Sequence, residues 1–94
     1  MSTEIQTVRD DDRSRYEGRI DGDVVTVLAF VRRGDVLDLT HTATEPEHRH
    51  RGLASEVTRA ALEDVRRRGE KVHPSCPFAV TFLDDHPEFA DLVA

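Results

Sequence analysis

Three groups of residues in this chain have types and spacings that can do chemistry. The first is Arg49-His50-Arg51-Gly52-Leu53-Ala54, where a glycine follows basic residues and opens a helical pattern. Gly52 and Ala54 let the backbone come close to a ligand, and the first amide hydrogens of a helix have no partner within it. The positive end of the helix dipole adds about 0.3 to 1 kcal/mol, and Arg49 and Arg51 add ionic attraction, so the segment describes a cradle for a pyrophosphate. The second is Cys76, the only cysteine, which directly precedes Pro77 at an expected helix start. The dipole there favours thiolate over thiol, which makes a reactive sulfur one reading and a small buried hydrophobe the other. The third is His41, near the end of a strand pattern. An imidazole of ordinary pKa, about 6.5, is suited to accepting a proton, and a lone strand histidine is equally suited to a core position.

Other chemistries find less support. The Gly-x-x-x-x-Gly-Lys-Ser/Thr loop of nucleotide triphosphatases is absent. His48, His50, His73 and Cys76 match no zinc spacing, so no metal is expected. Asp84-Asp85-His86 before Pro87 reads as a polar turn ending a helix, and Phe78, Phe82 and Phe89 as core. A single cysteine closes no internal disulfide. The formal charge of −6 argues against a nucleic-acid partner, because Arg66 to Arg68 alternate with acids on their helix and the whole chain is acidic. A cationic substrate suits that charge better. With 37% apolar and 34% charged residues the composition is globular, and no apolar run approaches the roughly 18 residues of a membrane span. The start, Met1 to Arg13, has neither the apolar core of a signal peptide nor the acid-poor character of a transit peptide, so a cytoplasmic location is the expectation.

The elements that must position these groups follow from periodicity. A chain of 94 residues suffices for a single domain over 1–94. Ile5 and Val8 suggest a short edge strand, followed by a solvated charged connection from Arg9 to Arg13. Ser14 to Ile20 forms a strand with Tyr16 and Ile20 on one face, and Asp21-Gly22 is a hairpin turn. The run Val24 to Val31 predicts a central strand covered on both faces. After a turn at Arg33-Gly34-Asp35, Val36 to Thr44 predicts a third meander strand. Leu37, Leu39, His41 and Ala43 share one of its faces, and the threonines and Asp38 take the other. Beyond the polar loop Glu45 to Arg51 the period lengthens to nearly four. A helix from about Gly52 to Gly69 buries Leu53, Val57, Ala61 and Val65, with Glu63–Arg67 and Asp64–Arg68 as ion pairs on its outer side. Lys71-Val72-His73 then returns as a strand parallel to Val36–Thr44. Pro77 to about Leu83 is a second helix, and Glu88 to Val93 a last helical turn. The fold class is α+β: a mixed sheet of about five strands, an antiparallel meander followed by a β-α-β crossover and a short helical C-terminus.

Placed between a strand and a helix, Glu45-Pro46-Glu47-His48-Arg49-His50-Arg51-Gly52-Leu53-Ala54 resembles the Arg/Gln-x-x-Gly-x-Gly/Ala signature of the GNAT N-acetyltransferase superfamily. Leu39-Thr40-His41-Thr42 and Pro74-Ser75-Cys76-Pro77-Phe78 resemble its short single-domain branch, and the likeness spans about residues 14 to 93. The resemblance implies a coenzyme A pyrophosphate on Arg49, His50, Arg51, Gly52, Leu53 and Ala54. It implies a pantetheine paired with edge groups of Thr40, His41, Thr42, Ala43 and Thr44, and a thioester bordered by His41 and Cys76. The implied activity is transfer of acetyl from acetyl-CoA to an amine, which is a protein lysine, an N-terminal amine, a polyamine or a small amine. Cys76 then either accepts the acetyl group or only lines its pocket. His41 takes the proton that a lysine-like amine must lose, directly, through water or by activating Cys76. The rival class is a non-catalytic acetyl-CoA-binding or protein-interaction module.

Overall fold

Two tight turns and a short loop fold the first half of the chain into a meander of β1 (Gln6–Asp10), β2 (Arg15–Ile20), β3 (Asp23–Arg33) and β4 (Val36–Thr44). Asp21 and Gly22 both take positive φ, 51° and 85°, as a two-residue hairpin loop requires. Helix α1 (Leu53–Arg68) then crosses the sheet, and β5 (Lys71–Pro74) returns parallel to β4, giving the order β1-β2-β3-β4-β5. Helix α2 (Pro77–Asp85) and a 3-10 segment, Pro87–Leu92, complete the chain. This computed structural model describes residues 4–94, so the first three positions of the start, read above as lacking a leader, lie outside the described residues.

The four-residue recurrence in α1 buries Leu53, Val57, Ala61, Leu62 and Val65. Most of this stripe joins Tyr16, Leu28, Phe30, Leu37, Leu39 and Val72 of the sheet, with Ala79, Phe82, Phe89 and Leu92 from the C-terminal segments, in one apolar cluster. Each such side chain contributes about 1.5 to 3 kcal/mol on burial. Gly18 lets the helix sit close: a Cβ there would lie 2.5 Å from Val57 Cγ2 and 2.6 Å from Thr26 Cγ2.

All of these helical segments pack on one face, and this corrects the expectation for β3. The strand is central, but only Thr26, Leu28 and Phe30 lie under α1, while Val27 and Ala29 are half-buried and Val31 is 47% exposed on the other face. The apolar run is continuous because β2 supplies partial cover there. Glu17 and Arg15 stand in register with Val27 and Ala29, and the aliphatic stems of such side chains shield apolar neighbours.

Two bulges shift the faces of the meander. Val25 is the extra residue of β3 opposite Gly18 and Arg19, and Thr40 is the extra residue of β4 opposite Ala29 and Phe30. Because side chains alternate, one inserted residue moves everything after it to the opposite face. Leu39 registers with Phe30 on the helix face, but His41 registers with Ala29 on the helix-free face and is exposed. Thr42 takes the helix face beside Leu28. The expected row Leu37, Leu39, His41, Ala43 is therefore broken at Thr40.

The connection from Arg9 to Arg13 is not wholly solvated either. Arg9 belongs to β1 and its side chain is 3% exposed. Its Nη1 donates to Glu70 Oε1 at 2.7 Å, its Nη2 to Oε2 at 3.2 Å, and Nη1 also reaches Tyr16 Oη at 3.3 Å. Tyr16 Oη donates in turn to Asp64 Oδ2 at 2.7 Å. Asp64, aimed at this network, draws both Arg68 (2.8 Å) and Arg67 (3.4 Å), so Arg67 pairs with Asp64 rather than with Glu63.

Candidate active site

The start of α1 is bare. Gly52 precedes the helix with φ 72° and ψ 17°, no side chain caps it, and the first amide of the helical ladder to find a partner is that of Glu56, donating to Gly52 O at 3.1 Å. The amides of Leu53, Ala54 and Ser55 thus fall in the turn that lacks intrahelical acceptors. They open onto a hollow of about 270 Å³ lined by Thr44, His48, Arg49, His50, Gly52, Leu53, Ala54 and Ser55. A Cβ built on Gly52 would meet nothing within 4 Å, so the space before the helix is free. The loop reaches this place through a 3-10 turn, Pro46–His48, and a positive φ of 67° at His50. In the wall of the hollow, His48 Nδ1 is shut off from solvent without a hydrogen-bond partner, a condition that ordinarily costs about 1 to 3 kcal/mol. Free donors, an orphaned ring nitrogen and basic side chains fit a bound diphosphate.

Beside the hollow, β4 and β5 part. Their last register pair is Leu39–Pro74, after which the amides of Ser75 and Cys76 both converge on Leu39 O, at 3.0 and 2.9 Å. The Glu45 amide donates to Val25 O at 2.8 Å, and His41 and Ala43 register with Ala29 and Val27, so these residues turn their backbone groups toward β3. By alternation Thr42 and Thr44 turn theirs to the edge that β5 has left. Arg49 Nε donating to Thr44 O at 3.3 Å agrees with that direction. Of the five strand residues expected to pair with a pantetheine, two therefore offer edge groups to the opening.

Cys76 stands at the N-cap position of α2 without a capping bond from its side chain, is 5% exposed and lies with its Sγ 3.8 Å from Thr42 Oγ1, at the helix side of the divergence. His41 does not join it, since the Thr40 bulge turns the ring to the opposite face. What stands on that opposite face at the base of the opening is Asp38, registered with His73 and accepting a hydrogen bond from Ser75 Oγ. The site thus has two sides. A sulfur, a hydroxyl and free amides lie on the helix side, and a carboxylate, a hydroxyl and an exposed imidazole lie on the other.

The structure brings Arg49, His50, Gly52, Leu53, Ala54 and Thr44 to one hollow, leaves Arg51 exposed outside its lining, and puts His41 and Cys76 on opposite sides of the sheet. Sequence reasoning overlooked His48, Ser55 and Asp38 as site residues. Ser55 was within reach, as the third residue of a helix whose free amides were already invoked. His48 and Asp38 depend on the loop turn and the strand pairing, which leave no local signal.

A profile of the family described as GCN5-related N-acetyl-transferase matches residues 15–92. The chain is 28% identical over 85 residues to Protein NATD1 of Gallus gallus, covering 88% of this chain and 77% of that protein. Against Protein NATD1 of Mus musculus the identity is 27% over 85 residues, with the same shares. A solution structure of a GCN5-like protein from Staphylococcus aureus superposes with a TM-score of 0.70 at 17% identity, covering 97% of this chain and 87% of that one. The ribosomal-protein-S18-alanine N-acetyltransferase of Escherichia coli gives 0.63 at 14% identity, covering 76% and 49%. At these identities the structural likeness is one of fold.

Proposed function

The chain belongs to the GCN5-related N-acetyltransferase family, and from that premise we propose that it moves acetyl from acetyl-coenzyme A to a polypeptide amine. The observation that carries this reading is the uncapped start of α1 opening beside a strand edge that β5 leaves free. The amides of Leu53, Ala54 and Ser55 bind the diphosphate, with Arg49 and His48 adding donors. The edge groups of Thr42 and Thr44 pair with the pantetheine amides, and Cys76 and Thr42 line the thioester pocket. When bound, acetyl-coenzyme A supplies an acyl group already activated as a thioester.

The acceptor approaches from the helix-free face, because helices fill the other. A lysine-like amine with a pKa of about 10.4 is mostly protonated at neutral pH, a deficit of roughly 4 to 5 kcal/mol in neutral nucleophile. Asp38, held by Ser75, takes the proton at its free carboxylate oxygen, and His41 borders the same approach. Direct transfer fits the burial of Cys76, whose sulfur has the Thr42 hydroxyl 3.8 Å away, better than a relay through the sulfur. The open helix-free face admits an extended peptide more readily than it encloses a small amine.

Single-turnover transfer of labelled acetyl from acetyl-coenzyme A to a panel of peptides and polyamines tests this. The expected result is acetylated peptide with no label on the enzyme. Label trapped on Cys76 without acceptor replaces direct transfer by a two-step route. Coenzyme A binding without transfer to any amine reduces the protein to a binding module, and absence of binding removes the reading altogether.

A further inference from the structure

The helix-free face of the sheet carries a hollow of its own. It measures about 370 Å³ and lies where β2, β3 and β4 run side by side, next to the loop that leaves β4. Its floor is apolar, made of Val24, Val27, Ala43 and Pro46, and Val27 and Ala43 stand in register with each other on that face. Two charged side chains stand at its rim, and they differ. Arg15 is already committed, because its Nε and Nη2 both lie 2.8 Å from Glu17 Oε2. Glu45 is exposed, and among the described residues no cation or hydrogen-bond donor engages its carboxylate.

The hollow borders both halves of the proposed site. Ala43 follows His41 on the same face, so the hollow begins one same-face step, about 7 Å, beyond the imidazole that borders the acceptor's approach. Thr44 lines this hollow and also the one at the helix mouth, so the place for the diphosphate lies just across β4.

Resting on the peptide-acetylation reading above, we infer that this hollow takes a basic side chain of the acceptor, two residues from the one that carries the reacting amine. An extended peptide turns every second side chain the same way at a spacing of about 7 Å. One whose amine enters the opening beside His41 therefore sets the residue two positions away over Val27 and Ala43. Lysine and arginine lay their methylene stems along apolar surface and keep their charged heads in water. Here the stem covers Val24, Val27 and Pro46, and the head meets the unpaired Glu45. An acidic side chain would meet Glu45 and, across Thr44, the phosphates of the bound donor, all of its own sign. A purely apolar side chain leaves the Glu45 carboxylate without a partner. The formal charge of −6 draws the same kind of peptide to the surface.

The test measures initial rates at saturating acetyl-coenzyme A on N-terminally blocked peptides with one lysine and, two residues before or after it, arginine, alanine or glutamate. A second series has a free N-terminal amine, no lysine and the same three residues at its third position. In whichever series is acetylated, arginine should raise kcat/KM about tenfold over glutamate, through KM rather than kcat, and the margin should shrink at high salt. Glu45→Gln should remove most of the arginine advantage and leave the alanine peptide as it was. Glu45→Arg should make the glutamate peptide the better substrate. The side chain is exposed, so neither variant disturbs the core. Equal kcat/KM on the three peptides, or an arginine preference that survives Glu45→Arg, overturns the subsite and leaves acetyl transfer to peptides standing. A protein that binds coenzyme A and acetylates neither series overturns the peptide reading and the subsite together.

Discussion

Helix α1 ends in two different ways, and the difference separates what holds the molecule together from what it offers to a ligand. At the C-terminal end the Gly69 amide donates to Arg66 O and the Glu70 amide to Val65 O, at 3.2 and 3.0 Å. Arg66 grips both carboxylate oxygens of Asp91, at 2.7 and 3.0 Å, and donates to Glu88 O at 2.9 Å. Glu70, with a side chain 8% exposed, holds Arg9 of the farthest strand. At the N-terminal end there is no side-chain cap, the preceding glycine is left-handed, and a histidine nitrogen is left alone. Buried polar groups are nearly always satisfied in folded proteins, so donors left without acceptors next to an open hollow mark the place where an external acceptor is awaited.

The sharpest way to break this contrast is at the closed end. Arg9→Ala leaves Glu70 buried without its bidentate partner and should cost about 3 to 5 kcal/mol, read from urea unfolding. Coenzyme A affinity, measured where the variant remains folded, should not change. On the open side, Asp38→Asn should lower kcat about 100-fold in the peptide assay, with the unfolding midpoint and coenzyme A affinity close to wild type. Gly52→Glu sets a negative side chain over the helix amides at a φ of 72° that side chains avoid. It should weaken coenzyme A at least tenfold in calorimetry and lower stability only modestly.

The smallest effect expected is in the pH dependence of stability, which belongs to the closed side. Arg19, by its hydrogen bond, and Arg15 hold the Glu17 carboxyl below the usual range against the opposing effect of burial. Burial pushes Asp64 up, but the Tyr16 hydroxyl and the charges of Arg68 and Arg67 outweigh it and hold that group low too. As pH falls the unfolded chain binds these protons first, so their contribution is present above the unfolded pKa, about 4, and is lost below it. Burial, followed by the bond to Asp64, raises Tyr16 instead. Its folded form keeps a proton that the unfolded chain releases near pH 10, so stability falls as pH rises beyond that. Chemical denaturation across pH should show both limbs, and Tyr16→Phe should flatten the alkaline one.

The sequence made the contrast legible in part, and the parts it hid share a cause. The α1 stripe, its closing Gly69, the meander and the Gly52 mouth are written in local periodicity and turn chemistry, and the structure has them where those signals lie. Arg9 was misjudged because its partner Glu70 lies 61 residues away, and no window along the chain contains both. His41 was misjudged because strict alternation was carried through Thr40, and nothing in Leu39-Thr40-His41-Thr42 announces an extra residue there. The bulge is specified by pairing with β3, which is a property of two strands together. Asp38 was placed on the correct side of its strand, but its neighbours Ser75 and His73 become visible only when β5 is laid against β4.

That single unpaired threonine fixes which side of the sheet each group of the candidate site occupies. Excising Thr40 would rotate the remainder of β4 by half a turn, presenting the imidazole to the sulfur and turning the Thr42 hydroxyl out to water. The placement of His41 and Cys76 on opposite sides of the sheet is therefore stored in a count of residues rather than in the identity of any one of them. Length variation at this position among related chains would be a more telling sign of altered chemistry than any substitution nearby.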